Sequence, residues 1–214
     1  MGIESVHYRQ VMRLPALSAF ALLALLATSA SARAEDADVL VQAGHEGRPQ
    51  SCAVFHVKAC NLGAAAPGAR EPDWNAVVAD AATTALRADG FTVLRRPADW
   101  AGGDVVREAV FIHFDGASPA CTSGASIGFP ASTSRGFVDA WETAYRNWFP
   151  FRFVGENFTE NEHRYYGFHR VEAPEKMLIE FGELTCPAQR SWMEPRLREM
   201  GERLAAFLAA RLGK

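Results

Sequence analysis

Hydrophobic positions in this chain come in short continuous runs, separated by stretches with helical spacing. The first run that reads as a strand is 38–43, Asp38-Val39-Leu40-Val41-Gln42-Ala43, and it stops at Gly44 with His45 directly behind. Residues 44–70 are rich in Gly, Ala and Pro and read as a long loop, with weak alternation over 53–58 that suits a short strand. Pro72 opens a helix at a position where proline is tolerated. Trp74, Val77, Val78, Ala81, Ala85 and Leu86 share one face of that helix, and Gly90 ends it. Strands are predicted at 91–94, 109–114 and 176–181, with a short helix over 99–108. The run 109–114 is apolar on both faces, as expected of a central strand. Residues 115–134 read as loop, 136–148 as a helix, and 150–170 as polar and aromatic without periodicity. A last helix runs from near Pro187 to about 212, with Met193, Leu197, Met200, Leu204, Phe207, Leu208 and Leu212 as its stripe. Strands alternating with helices predict an α/β fold: a single domain with a largely parallel, twisted sheet flanked by helices.

The N-terminus stands apart from this pattern. Arg9 and Arg13 precede the apolar run 14–27, and Ala32 and Ala34 hold the small-residue positions of a cleavage site. Residues 1–34 therefore read as a cleaved secretory signal peptide, and 35–214 as one domain. Taking Arg9, Arg13, Arg33 and Glu4 from 22 basic and 25 acidic residues leaves a net charge of −5. Such a surface argues against nucleic acid as a partner, and no later apolar stretch is long enough to span a membrane. All four cysteines, Cys52, Cys60, Cys121 and Cys186, lie in the exported part, where an even count favours disulfides. Three pairings exist. The expected one is Cys52–Cys60 and Cys121–Cys186, because the first pair is close in sequence and the second follows two strands expected to be neighbours.

Two residues place charge where charge is expensive. His113 interrupts the run 110–114, and Glu180 interrupts 177–181. A lone ionised carboxylate in a buried strand costs several kcal/mol or is forced to protonate. Both lie near the carboxyl ends of their strands, the edge where open α/β sheets bind ligands. His45, His113 and Glu180 at three strand ends point to a metal site.

Four segments together resemble the zinc-dependent N-acetylmuramoyl-L-alanine amidases of the type 3 family. Ala43-Gly44-His45-Glu46-Gly47 resembles the first motif, and Glu71-Pro72-Asp73-Trp74-Asn75, at a helix start, the second. Segments 111–116 and 177–182 resemble the third motif and the strand that carries a catalytic glutamate. The resemblance implies Zn2+ held by His45, Glu71 and His113, and Glu180 as the acid/base. It implies cleavage of the amide between N-acetylmuramic acid and L-alanine in peptidoglycan or a muropeptide. Glu46 departs from the family, which usually carries a second glycine there, and two readings stay open for it: a competing ligand, or a residue that only flanks the site. Tyr165, Tyr166 and Phe168 suit stacking on a sugar or stem peptide and suit the core equally, and Arg135 is a candidate for a substrate carboxylate. A secreted, periplasmic monomer is expected. Two other readings stay open: a zinc peptidase acting within the stem peptide, and a non-catalytic peptidoglycan-binding module.

Overall fold

The computed structural model describes residues 36–48 and 61–213. The expected signal peptide, the strand at 53–58 and the Cys52–Cys60 pair lie outside the described residues. In chain order the elements are β1 (Ala37–Ala43), β2 (Ala65–Ala66), β3 (Ala69–Arg70), α1 (Glu71–Ala88), β4 (Val93–Arg96) and β5 (Asp104–Asp115). They continue with β6 (Ala125–Gly128), α2 (Arg135–Arg146), β7 (Phe153–Glu156), α3 (Glu160–His163) and a 3-10 turn at Tyr166–His169. The chain closes with β8 (Val171–Glu172), β9 (Glu175–Glu183), α4 (Pro187–Met193), a 3-10 turn at Glu194–Arg196 and α5 (Leu197–Leu212).

The main sheet runs β4-β1-β5-β9-β6-β7, with β8 extending the start of β5. Strands β4, β1, β5 and β9 are parallel, whereas β6 is antiparallel to β9 and β7 runs with β6. The fold is thus α/β with a mostly parallel sheet flanked by helices. Residues on one face of the central strands, such as Val41, Ile112 and Ile179, share a core with residues of α1, α2 and α5. Residues on the opposite face, Leu40, Phe111 and Leu178, pack with Trp100, Tyr165 and Phe168. Because side chains alternate along a strand, that second face also carries Gln42, His113 and Glu180, each two residues further toward the carboxyl edge.

Four expectations are corrected. Residues 104–108 are strand, not helix: Val105 and Val106 are β-branched, consecutive Gly102 and Gly103 both take positive φ, and β1 pairs with this segment from Ala37 onward. The stretch 115–134 contains β6, and 150–170 contains β7, α3 and the 3-10 turn. The last helix is divided at Glu194-Pro195, because a proline cannot donate into the helical ladder. Finally, α1 buries Trp74, Asn75, Val78, Ala79, Ala82 and Leu86, a stripe turned slightly from the expected one, so Val77 is 45% exposed.

Cys121 and Cys186 form a disulfide that ties the loop after β5 to the start of α4 across 65 residues. Closing a loop of that length restricts the unfolded chain, so Cys186→Ser is expected to cost about 2–4 kcal/mol, read from the urea unfolding midpoint. A second prediction concerns Glu108 on β5, whose Oε2 is buried without a partner while Oε1 lies 3.6 Å from Arg211. Burial pushes its carboxyl up to about 7, against the pull of the Arg211 guanidinium. The folded state therefore holds this proton more tightly than the unfolded chain, and stability falls as pH rises from the ordinary carboxylate range toward 7. Glu108→Gln is expected to remove that decline and to raise stability at pH 8 by up to about 3 kcal/mol, measured by urea unfolding across pH.

Candidate active site

Three polar side chains converge at the carboxyl edge of β1 and β5. His45 follows the end of β1 in a left-handed conformation, φ 59°, which a non-glycine residue adopts at a cost of about 1 kcal/mol. Gly44 before it leaves room for the His113 ring: a Cβ on Gly44 would sit 2.2 Å from His113 Cε1. Glu71 is the first residue of α1, where the positive helix end favours a carboxylate. One ligand atom from each of His45, Glu71 and His113 lies within 4.8 Å of the others, a group able to hold a metal ion.

Glu71 is the hub. Its Oε1 lies 2.9 Å from His113 Nδ1 and 3.4 Å from His45 Nε2. The same oxygen accepts from the Phe114 amide at 3.2 Å and from Asn75 Nδ2 at 3.3 Å, while Oε2 accepts from the Ala64 amide at 2.7 Å. Burial opposes ionisation of this carboxyl, but the His113 ring, the His45 ring and the Ala64 amide outweigh it and hold it below the usual range. Gly63 permits the approach, since a Cβ there would lie 2.5 Å from Glu71 Oε2.

Both nitrogens of each imidazole face oxygen. His45 Nδ1 is 2.8 Å from the Asn61 carbonyl, and His113 Nε2 is 3.1 Å from the Tyr165 hydroxyl. A neutral ring carries one N–H, and with a cation between the rings and Glu71 each ring would turn a lone pair toward it. A cation between them satisfies all three groups, which makes this donor set fit a metal. Burial holds the His45 imidazole down to about 4, which keeps a lone pair available at neutral pH.

Glu180 on β9 is in register with His113 on one side and with Ser126 of β6 on the other. Its Oε2 is buried without a hydrogen-bond partner. Burial, and then the charges of Glu71, Asp115 and Glu162, push its carboxyl well above the usual range. A cation at the neighbouring cluster acts in the opposite direction. Glu180, His45, Glu71 and His113 all line one cavity of about 780 Å³, together with Arg48, Asn61, Asn161, Arg164 and Tyr166.

The other candidate residues are placed as follows. Glu46 points away and makes a two-pronged ion pair with Arg95, at 2.7 and 2.9 Å. Tyr165 lines the cavity but is buried, with its hydroxyl engaged by His113 and Gln42. Tyr166 lines the cavity with the Arg48 guanidinium 5.7 Å above its ring. Phe168 packs in the core against Phe111 and Tyr165. Arg135 is not among the cavity-lining residues and pairs with Glu156 and Asp139. Sequence reasoning passed over Gln42, Asn61, Asn75 and Arg48. Gln42 was findable, because it interrupts an apolar run just as His113 does, and Asn75 sits one helical turn from Glu71.

No protein-family model and no curated protein matches this sequence. Solved structures do: the chain has the fold of the N-acetylmuramoyl-L-alanine amidases. It is similar to the catalytic domain of CwlV from Bacillus (Paenibacillus) polymyxa var. colistinus, with TM-score 0.62 and 15% identity over 81% of this chain and 97% of that one. It is also similar to Ami1 from Mycobacterium smegmatis, with TM-score 0.58 and 17% identity over 82% and 98%. AmiC2 of Nostoc punctiforme aligns with TM-score 0.56 and 18% identity over 81% and 93%.

Gly44→Ala tests the close approach that builds the cluster. The added methyl displaces the His113 ring, and affinity for added Zn2+ is expected to fall at least about tenfold, measured by competition with a chelating dye.

Proposed function

We propose that this chain is an exported zinc amidase that hydrolyses the bond between the lactyl group of N-acetylmuramic acid and L-alanine. The observation that carries this reading is the buried His45–Glu71–His113 cluster beside an unpartnered Glu180, in a cavity of an amidase-like fold. Export to the periplasm as a monomer is part of this reading and rests on the basic and apolar pattern of residues 1–34. His45, Glu71 and His113 would hold a Zn2+, which would supply a Lewis acid and lower the pKa of a water there.

The chain's own residues do the rest. In this reading Glu180 takes the proton from the attacking water and returns it to the leaving amine of L-alanine. Its unpartnered oxygen has no competing donor, so it is free for that proton. Leu178 and Phe114 line the same cavity, and apolar surface beside a charge strengthens its electrostatic contacts. Arg48, Asn61, Asn161 and Arg164 offer donors to substrate carbonyls and carboxylates, and Tyr166 offers a ring edge to sugar or peptide.

The test is to digest purified peptidoglycan with the exported chain and identify the ends by mass spectrometry. Free α-amino groups on L-alanine and an intact lactyl carboxylate are expected. New amino groups elsewhere in the stem peptide mark a peptidase instead, and stoichiometric binding without turnover marks a binding module. Glu180→Gln is expected to lower kcat between about 100-fold and 10,000-fold with Zn2+ still bound. Chelation is expected to abolish turnover, and added Zn2+ to restore it. Unchanged turnover in either case overturns the mechanism.

A further inference from the structure

Two arginines line the active-site cavity, and they are placed differently. The Arg164 side chain is 77% exposed, with Glu160 at 3.4 Å, so water solvates its charge. Arg48 follows the positive-φ turn at Gly47, and its side chain is only 8% exposed. A charge withdrawn from water to that degree needs an opposite charge close by. Its acidic neighbour in sequence, Glu46, is taken by the two-pronged pair with Arg95. Among the described residues the one carboxylate partner of Arg48 is Asp99, 3.4 Å from Nε and 52% exposed. An ion pair that long and that wet offsets little.

Other contacts fix the guanidinium without neutralising it. Nη1 donates to the Asn61 carbonyl at 2.7 Å, and the Asn61 side chain accepts from the Gly63 amide at 2.9 Å. The guanidinium carbon stands 5.7 Å over the Tyr166 ring, whose hydroxyl donates to the Ala98 carbonyl at 2.6 Å. A guanidinium carries its N–H donors in one plane. Nε and Nη1 are engaged, whereas the N–H groups of Nη2 have no partner among the described residues. Nη1 also lies 3.4 Å from His45 Nδ1, so this group stands one imidazole ring away from the His45–Glu71–His113 cluster.

We infer that Arg48 is a specificity-determining residue that binds a free carboxylate on the residue after L-alanine in the stem peptide. The inference rests on the proposed amidase reading, which puts the amide of L-alanine at the metal cluster. A group one imidazole ring away then meets the next residue of the peptide. That residue is a D-glutamate joined through its side-chain carboxyl, and its α-carboxyl is present either as the acid or as the amide. A carboxylate accepts charge-assisted hydrogen bonds from a guanidinium and neutralises it. A carboxamide brings no charge and turns an NH2 group toward a cation that has no acceptor to offer. The buried, weakly paired Arg48 therefore favours the acid form and disfavours the amidated one.

N-acetylmuramoyl-L-alanyl-D-glutamate and its D-isoglutamine counterpart differ only at that carboxyl. With the Zn2+-loaded wild type, kcat/KM is expected to be about 10-fold to 100-fold higher for the acid, mostly through KM. In Arg48→Gln that ratio is expected to fall to within about threefold of one. Loosening of the Asn61 loop in the variant lowers both substrates alike, so the ratio reads the carboxylate contact and not the fold. A wild-type ratio within about twofold of one overturns the inference, as does an Arg48→Gln protein that keeps the wild-type ratio. A ratio lost in Arg164→Gln but kept in Arg48→Gln assigns the contact to the wrong arginine and overturns it too. Calorimetry with the dipeptides L-alanyl-D-glutamate and L-alanyl-D-isoglutamine reads the same preference without turnover. Suppose the wild type cleaves neither substrate, yet binds the acid dipeptide at least about tenfold more tightly, and Arg48→Gln loses that preference. The amidase reading then fails while the carboxylate site stands. Equal binding of the two dipeptides, or none, with no turnover overturns both.

Discussion

A buried carboxylate organises this protein. Glu71 lies at the start of α1 almost out of contact with solvent, and taking an ionised carboxylate there uncompensated costs several kcal/mol. The surrounding residues offset that cost from separate stretches of chain. The strand end of β1 presents His45, the loop before β2 presents the Ala64 amide, and β5 presents both His113 and the Phe114 amide. Asn75, one turn along α1, ties Glu71 Oε1 to the Gly44 carbonyl. The helix start, the hairpin of β2 and β3, and the carboxyl edge of the sheet are therefore held in one arrangement by one side chain.

Small residues make this crowding feasible. Gly44 and Gly63 lie where any side chain would enter the His113 ring or the Glu71 carboxylate. His45 accepts a strained backbone that turns its ring from the end of β1 toward the cluster. On the sheet itself, the alternation of side chains does the positioning. Leu40, Phe111 and Leu178 anchor one face, and Gln42, His113 and Glu180 follow two residues on, at the cavity. The aromatic segment 165–168 covers that face and supplies both core packing and the hydroxyl behind His113.

Much of this was legible in the chain itself. His113 and Glu180 stand out as polar residues inside apolar runs, and burial explains why such residues need a compensating partner. The same signal marks Gln42, yet an amide is easily passed over because it carries no charge. Strands β6 and β7 were not legible. Ala125-Ser126-Ile127-Gly128 has no alternation worth the name, and it is a strand because β9 offers it an edge to pair with. The segment 104–108 misled for the opposite reason: its polar positions fit a helix, but pairing with β1 from Ala37 onward extends β5.

The sequence by itself determined the α/β alternation and the chemically distinctive side chains at element ends. These follow from local periodicity and from residue types that are costly to bury, and both can be read one stretch at a time. Only the tertiary structure decided which nitrogen of each histidine faces Glu71, that Glu46 turns away to Arg95, and that Tyr165 stands behind His113. Those outcomes depend on contacts between residues as far apart as 42 and 165, whose geometry is set by how the strands and loops pack and not by any local pattern.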